Sequence, residues 1–363
     1  MTTNPVEVAE QMKIGLVGLP GSGKSTCFRL LSDQRAEPHG RDSQIAVVSV
    51  PDARTERIYE LCQPDRMVQP EITFVDLLAL HSGDSDAGED LQLVKVAGDA
   101  DAFAIVVQCF GELDHRGQPL DPKSDLETVL LEMSLTDLTI VERRLRKLES
   151  KRGNLSQHEK WEQKVLSRCR QHLAAGQRLL EEEFTAEEEK LLHGFSLLTM
   201  KPLMAVFNVA EDDLDGKAAA EARQLAEEEG LATISLCAEL EEEITQLAAG
   251  EQAEFIADFG LSQPARDRFI RTAYELLDVV TFFTVNENEV HAWTIPRGTT
   301  ALQAAGKIHS DMASGFVRAE VVPFAALDEH GSMAACREAG AVRLEGRDYQ
   351  VQDGDILYIR FTR

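Results

Sequence analysis

The sequence predicts an α/β protein: a doubly wound parallel sheet, an inserted helical hairpin and a small C-terminal α+β module. Three observations carry that prediction. A glycine-rich turn over residues 18–26 joins an apolar run to a helical one. Short apolar runs alternate with polar connections on both sides of a long stretch with helical periodicity. Beyond about residue 278 the chain breaks into short strand-like runs and turns.

The turn reads Gly18-Leu19-Pro20-Gly21-Ser22-Gly23-Lys24-Ser25-Thr26 and fills every fixed position of G-x-x-x-x-G-K-[ST]. Its flanks supply the strand and helix that this phosphate-binding loop requires: Met12 to Val17 reads as a buried first strand, and Cys27 to Leu31 as the first turns of a helix. Backbone N–H groups from Gly21, Ser22, Gly23, Lys24, Ser25 and Thr26 are candidates to cradle an anion, helped by the helix dipole. Lys24 is the candidate to reach the β- and γ-phosphates, and the Ser25 hydroxyl to ligate Mg²⁺. The sequence therefore predicts a nucleoside triphosphate as ligand.

Further strands are expected at Ile45 to Val50, Ile72 to Asp76 and Ala102 to Val107. From about 124 to 195, Leu126, Leu130, Met133, Ile140, Val141, Leu145 and Leu148 recur at three- and four-residue steps. Trp161, Val165, Leu166, Cys169, Leu173 and Leu180 continue the spacing after Gly153-Asn154, which predicts an antiparallel hairpin with an apolar packing seam. The α/β pattern resumes with Leu203 to Phe207, an acidic helix from Lys217 to Glu229, and Ala232 to Leu236. Strands at Thr281 to Val285, Ala292 to Ile295 and Ile356 to Ile359 mark the last module. The expected domains are 1–123 and 196–277 for nucleotide binding, 124–195 for the hairpin and 278–363 for the C-terminal module.

A length of 363 residues allows two or three cores, and 43% hydrophobic with 28% charged residues is ordinary for a soluble protein. A formal charge of −26 argues against a general nucleic-acid-binding surface, so no DNA partner is expected. Six scattered cysteines without a C-x-x-C pair suggest reduced thiols and a cytoplasmic protein. No signal peptide or membrane-spanning run is evident.

Asp76, ending the expected strand after the loop, is the candidate second Mg²⁺-positioning group. Past the Leu203 strand comes Asn208-Val209-Ala210-Glu211. GTPases of this architecture read guanine through N-K-x-D, whose Asp accepts from N1–H and the exocyclic amine. Here Val209 replaces the lysine and the longer Glu211 replaces the aspartate. That change disturbs a bidentate guanine fit and opens an adenine amino group as the alternative.

These motifs resemble the YchF family of Obg-related P-loop proteins over nearly the full chain. The resemblance rests on the loop at 18–26, Phe74-Val75-Asp76, Cys109-Phe110, Asp125-Leu126-Glu127-Thr128, Leu197 to Pro202, and Asn208 with Glu211. Leu236-Cys237-Ala238-Glu239-Leu240 resembles the family's following nucleotide loop, which adds Cys237 and Ala238 to the candidate nucleotide contacts. Residues 291–301, 315–321 and 345–355 resemble its C-terminal TGS domain. The resemblance implies ATP binding and hydrolysis in preference to GTP, and association with ribosomes. It also implies that Leu80 stands where other GTPases carry a catalytic glutamine, and that His115 orients water; His81 reads as incidental.

Departures from the family pattern fall in its switches. Gly40 aligns with the switch-I threonine, Asp76-Leu77-Leu78-Ala79 replaces D-x-x-G, and acids enter the loop after Leu80. Three readings therefore stay open: a slow Mg²⁺-dependent ATPase acting as a ribosome-associated switch, a nucleotide-gated binding module without catalysis, and a GTPase with a relaxed base motif. In the TGS-like module Arg297, Lys307, Arg318, Arg343 and Arg347 could form a face for ribosomal RNA or tRNA, while abundant acids in the same module make a protein-contact surface or a solvated one an equal alternative. Trp293 reads as core.

Overall fold

The structure, a computed structural model, describes residues 12–32, 37–39, 43–77, 98–151, 155–247, 250–252 and 263–362. The chain begins with β1 (Lys13–Val17), α1 (Lys24–Leu31), β2 (Glu37–His39), β3 (Ser43–Ser49), α2 (Ala53–Cys62), β4 (Arg66–Val68), β5 (Glu71–Asp76) and β6 (Ala102–Cys109). Its middle holds α3 (Pro122–Glu149), α4 (Gln157–Ala174), α5 (Ala186–His193), β7 (Leu203–Val209), α6 (Ala220–Glu228), β8 (Ala232–Leu236), α7 (Ala238–Gln246) and α8 (Ala265–Glu275). The last part holds β9 (Val279–Val285), β10 (Glu289–Pro296), α9 (Ala301–Ile308), α10 (Ser310–Ser314), β11 (Phe316–Pro323), α11 (Phe324–His330), α12 (Met333–Glu338), β12 (Arg343–Glu345) and β13 (Asp355–Phe361).

Two compact units result, one from residues 13–46 and 73–276, the other from 47–72 with 277–363; the division passes through β3 and β5. In the first, the sheet order is β2-β3-β5-β1-β6-β7-β8. β1 lies parallel to both β5 and β6, and β6, β7 and β8 continue in parallel. Strands β6 and β7 are buried along their whole length, as parallel strands covered on both faces must be. This is the doubly wound fold that the sequence predicts.

Helix α3 begins on an Asp121 cap that accepts from the Ser124 N–H, with Pro122 at its first position, where its missing N–H costs nothing. Its first turns bury Leu126, Val129 and Met133 in the sheet core. Its later turns bury Val141, Leu145 and Leu148 against Val165, Leu166, Cys169 and Leu173 of α4. One 28-residue helix thus serves two cores, and the predicted seam is the second. A capping box on Ser156 and Glu159 starts α4, and Arg144 grips the buried Glu162 across the hairpin at 2.6 and 2.7 Å. Buried Asp137 accepts from the Leu198 and Thr199 N–H groups, each at 2.8 Å, and so fixes the turn leading into β7.

The second unit is a mixed sheet in the order β12-β11-β13-β9-β10-β4. Its strands alternate in register with the pleat. Phe282 and Ile295 face a core shared with Ala301, Ala304 and Ala305 of α9. Phe283, Val290, Ala292 and Ile356 face the opposite core with Leu327 of α11. Here the structure corrects the expected boundaries, which kept all of 1–123 with the nucleotide-binding domain. Helix α2 and strand β4 belong to the C-terminal sheet. Ile58 of α2 is fully buried among Phe283, Val290 and Ile356, and β4 pairs in parallel with β10. Arg54 binds Asp353 at 2.6 Å and Arg57 binds Asp328 at 2.7 Å, pinning the first turns of α2 to the second unit. No helix among the described residues is long and apolar enough to cross a membrane.

Candidate functional site

The carboxyl ends of β1, β5, β6 and β7 converge on the loop at 18–26, the position where open α/β sheets bind ligands. Glycine makes the turn. Gly21 and Gly23 hold φ of +84° and +85°, a left-handed conformation that side chains resist. Gly23 is also the N-cap of α1, and no side chain caps that helix. The first turn of α1 contains no acid, so its N–H groups face a field that favours an anion.

Lys24 is nearly buried, and its Nζ contacts both the Asp76 carboxylate and the Leu77 carbonyl oxygen. The β1–β5 register, Leu16 opposite Asp76, brings that carboxylate beside the loop. Ser25 is exposed in the first turn of α1. Ser22 turns inward instead: its hydroxyl is buried with no hydrogen-bond partner. Ser22 N–H donates to Leu19 O at 3.2 Å, so this residue braces the loop rather than offering a donor to an anion.

Asn208 is buried at the end of β7 and uses both ends of its amide. Its Nδ2 donates to Ser22 O at 3.1 Å, and its Oδ1 accepts from Ala238 N–H at 3.0 Å. It therefore ties the phosphate loop to the start of α7, with Phe110 also lying against Gly23. Glu211 sits on an exposed 3₁₀ turn directly after β7. Cys237 and Ala238 are buried. Burial pushes the Cys237 thiol up against the pull of hydrogen bonds from the Leu240 and Glu239 backbone, with smaller contributions from the charges of Glu239 and Glu211, and the buried side chain acts as an apolar wall.

His115 is exposed, but its backbone lies against the loop: a Cβ on Gly21 would stand 3.2 Å from that of His115. The His115 turn is rigid, since Asp114 Oδ1 accepts from the Arg116 and Gln118 N–H groups, both at 2.8 Å. Gln108 moors it by donating to Phe110 O at 3.1 Å and Leu113 O at 3.2 Å. Sequence reasoning missed Gln108. Its signal was a lone polar residue ending an apolar strand. A cavity of about 230 Å³ runs under this turn past Leu19, His115, Ser124 and Asp125. Leu80, His81 and Gly40 lie outside the described residues.

Comparison with known proteins decides the kinship. The ribosome-binding ATPase YchF of Bacillus subtilis (strain 168) is 36% identical over 361 residues, covering 96% of this chain and 98% of its own. The chain belongs to the YchF family. The ribosome-binding ATPase YchF of Escherichia coli O157:H7 is 35% identical over 360 residues, covering 96% and 99%. The structure of the Schizosaccharomyces pombe YchF GTPase superposes with a TM-score of 0.85 at 29% identity, covering 97% of this chain and 98% of that one. Residues 279–362 match the family described as YchF-GTPase_C, "Protein of unknown function (DUF933)".

In this YchF-family chain much of the C-terminal basic set is engaged internally. Arg297 pairs with Asp278 at 2.7 Å, Arg347 donates to Phe316 O at 3.3 Å, and Arg343 donates to the Tyr349 hydroxyl at 2.9 Å while facing Asp355. Trp293 is half-buried rather than fully core; it stacks on His291 and donates from its indole N–H to Thr284 at 2.9 Å.

Proposed function

We propose that this chain binds a nucleoside triphosphate at the loop of residues 18–26, hydrolyses it slowly, and works in the cytoplasm as a ribosome-associated switch. The observation that carries this reading is the uncapped, acid-free start of α1, with Lys24 held beside Asp76 and two left-handed glycines forming the turn. The names of the relatives, ribosome-binding ATPases, support both the activity and the partner.

A magnesium ion fits the residues present. The Ser25 hydroxyl and the Asp76 carboxylate are hard oxygen donors of the type Mg²⁺ takes, with phosphate oxygens and water completing such a shell. Bound there, the ion would neutralise charge on the phosphate oxygens. Lys24 would exchange the Asp76 carboxylate for phosphate oxygens, and the Gly21, Gly23, Lys24 and Ser25 N–H groups would orient the chain for attack by water. His115, set against Gly21 on a braced turn, would position that water, and Leu80 takes the place of the glutamine that other GTPases use for this. Without an identified arginine finger or glutamine, intrinsic turnover would be low.

ATP is favoured over GTP because Glu211 replaces the shorter acid that grips guanine. GTP is the second reading, motivated by the name of the fission-yeast relative. Equilibrium titration of nucleotide-free protein with ATP and with GTP, each with Mg²⁺, separates them. Tighter ATP binding is expected, with loss of binding in Lys24→Ala. Native affinity in that variant would sink the assignment of this loop.

A further inference from the structure

A second cationic site stands apart from the phosphate loop, wholly within the first unit. A cavity of about 400 Å³ opens along the outer edge of β8, the last strand of its sheet. Arg223 from α6, Arg268 and Arg271 from α8, and the side chains of Thr233, Ser235 and Thr272 line it. Ser235 is gripped twice: its hydroxyl accepts from Arg223 at 2.9 Å and its carbonyl from Arg268 at 3.3 Å. Arg223 also lies over the Phe207 ring with 6.0 Å to its centroid, which fixes the guanidinium plane. Arg271 is exposed. Among the described residues none of these three guanidiniums forms an ion pair with a carboxylate.

The three guanidiniums in one cavity repel one another; the charges of Asp213 on Arg223 and Glu241 on Arg268 act from beyond ion-pair distance and offset this only in part. Each guanidinium has five N–H donors; among the described residues Arg223 uses them on Gly216 O and the Ser235 hydroxyl, Arg268 on Ser235 O, and Arg271 on neither. We propose that this cavity binds the terminal phosphate dianion of a small phosphorylated ligand. Arg223 and Arg268 form its pre-set floor, and Arg271 closes on it from the solvent side. Guanidinium–phosphate pairs are short, charge-assisted and often bidentate, which matches a cluster of three forks converging on one volume. The acidic exterior repels an extended polyanion, so an isolated phosphate terminus suits the site better than a nucleic-acid backbone.

The test is calorimetric titration of the Lys24→Ala protein with inorganic pyrophosphate at low salt, so that the first site does not contribute. Binding is expected, weakened about ten-fold by adding Arg271→Ala and abolished by Arg271→Glu. Because Arg271 is exposed and unpaired, both variants should melt at the parent temperature, which keeps the comparison clear of folding defects. Absence of pyrophosphate binding in Lys24→Ala protein, or equal binding in Arg271→Glu, overturns the proposal. So does displacement of pyrophosphate by a 5′-hydroxyl oligoribonucleotide as readily as by its 5′-phosphorylated twin.

Discussion

Asn208→Ala is the sharpest test of how the nucleotide loops are held. The side chain makes two bonds, to Ser22 O and from Ala238 N–H, at 3.1 and 3.0 Å, and both backbone partners belong to buried residues. A neutral bond is worth about 1 kcal/mol net, and an orphaned buried polar group costs about 1–3 kcal/mol. Removing both bonds should therefore cost about 3 kcal/mol. A unit of this size shifts by about 2–4 °C per kcal/mol, so the melting temperature should fall by about 6–12 °C. Asn208 reaches backbone, not a base, so ATP and GTP should lose affinity together, by about ten-fold, or about 1.4 kcal/mol. Thermal melting read alongside titration with each nucleotide measures both quantities. An unchanged melting temperature, or a several-fold change in the ATP-to-GTP ratio, would refute this account and make Asn208 a base reader.

Three further outcomes are expected. Gly23→Ala should fold yet bind nucleotide poorly, because a Cβ there collides with Asn208 Nδ2 and φ is +85°; wild-type affinity in a titration would count against the loop geometry. Ile58→Ala should cost about 2–5 kcal/mol as a core truncation, and hydrogen exchange should locate the lost protection in residues 279–362 rather than around 13–31. Asp137→Asn tests a pH dependence: burial pushes the Asp137 carboxyl from 3.8 up to about 6, against the pull of its hydrogen bonds from Thr199 and Leu198. The folded state then holds the proton more tightly than the unfolded one, so this group favours folding most below about pH 4. That contribution is lost as pH rises from about 4 to 6. The Asn variant should show a flatter melting-temperature profile across that window, and an identical slope would exclude Asp137 as its source.

Much of the first unit was legible because its signals are local. The loop at 18–26 announces itself in consecutive residues, and β6 and β7 read as apolar runs because both their faces are covered. The hairpin was legible for the same reason, since its seam repeats with the helical period. What sequence pattern did not reveal depends on contacts far apart in the chain. Nothing in residues 53–68 says that their partners are Phe283, Asp328 and Asp353; an amphipathic helix looks the same whichever sheet it covers. Gln108 was hidden likewise, because a single amide at a strand end has no pattern until the turn it moors is folded beneath it.

The same distinction clarifies Asn208 and Glu211. In sequence they form one motif, three residues apart, and invite one role. In space they divide: Asn208 is buried and fully committed to backbone, whereas Glu211 stands exposed on the turn beyond the strand. A residue whose hydrogen bonds are already made inside the protein has little left with which to discriminate a ligand, and an exposed acid has its full capacity free. Base choice should therefore follow Glu211, and loop integrity should follow Asn208. A Glu211→Asp substitution, which shortens the acid without removing its charge, should move the ATP-to-GTP ratio toward GTP and leave the melting temperature unchanged. If the ratio stays fixed, the identity of the acid does not set the base, and the preference must come from the walls around it.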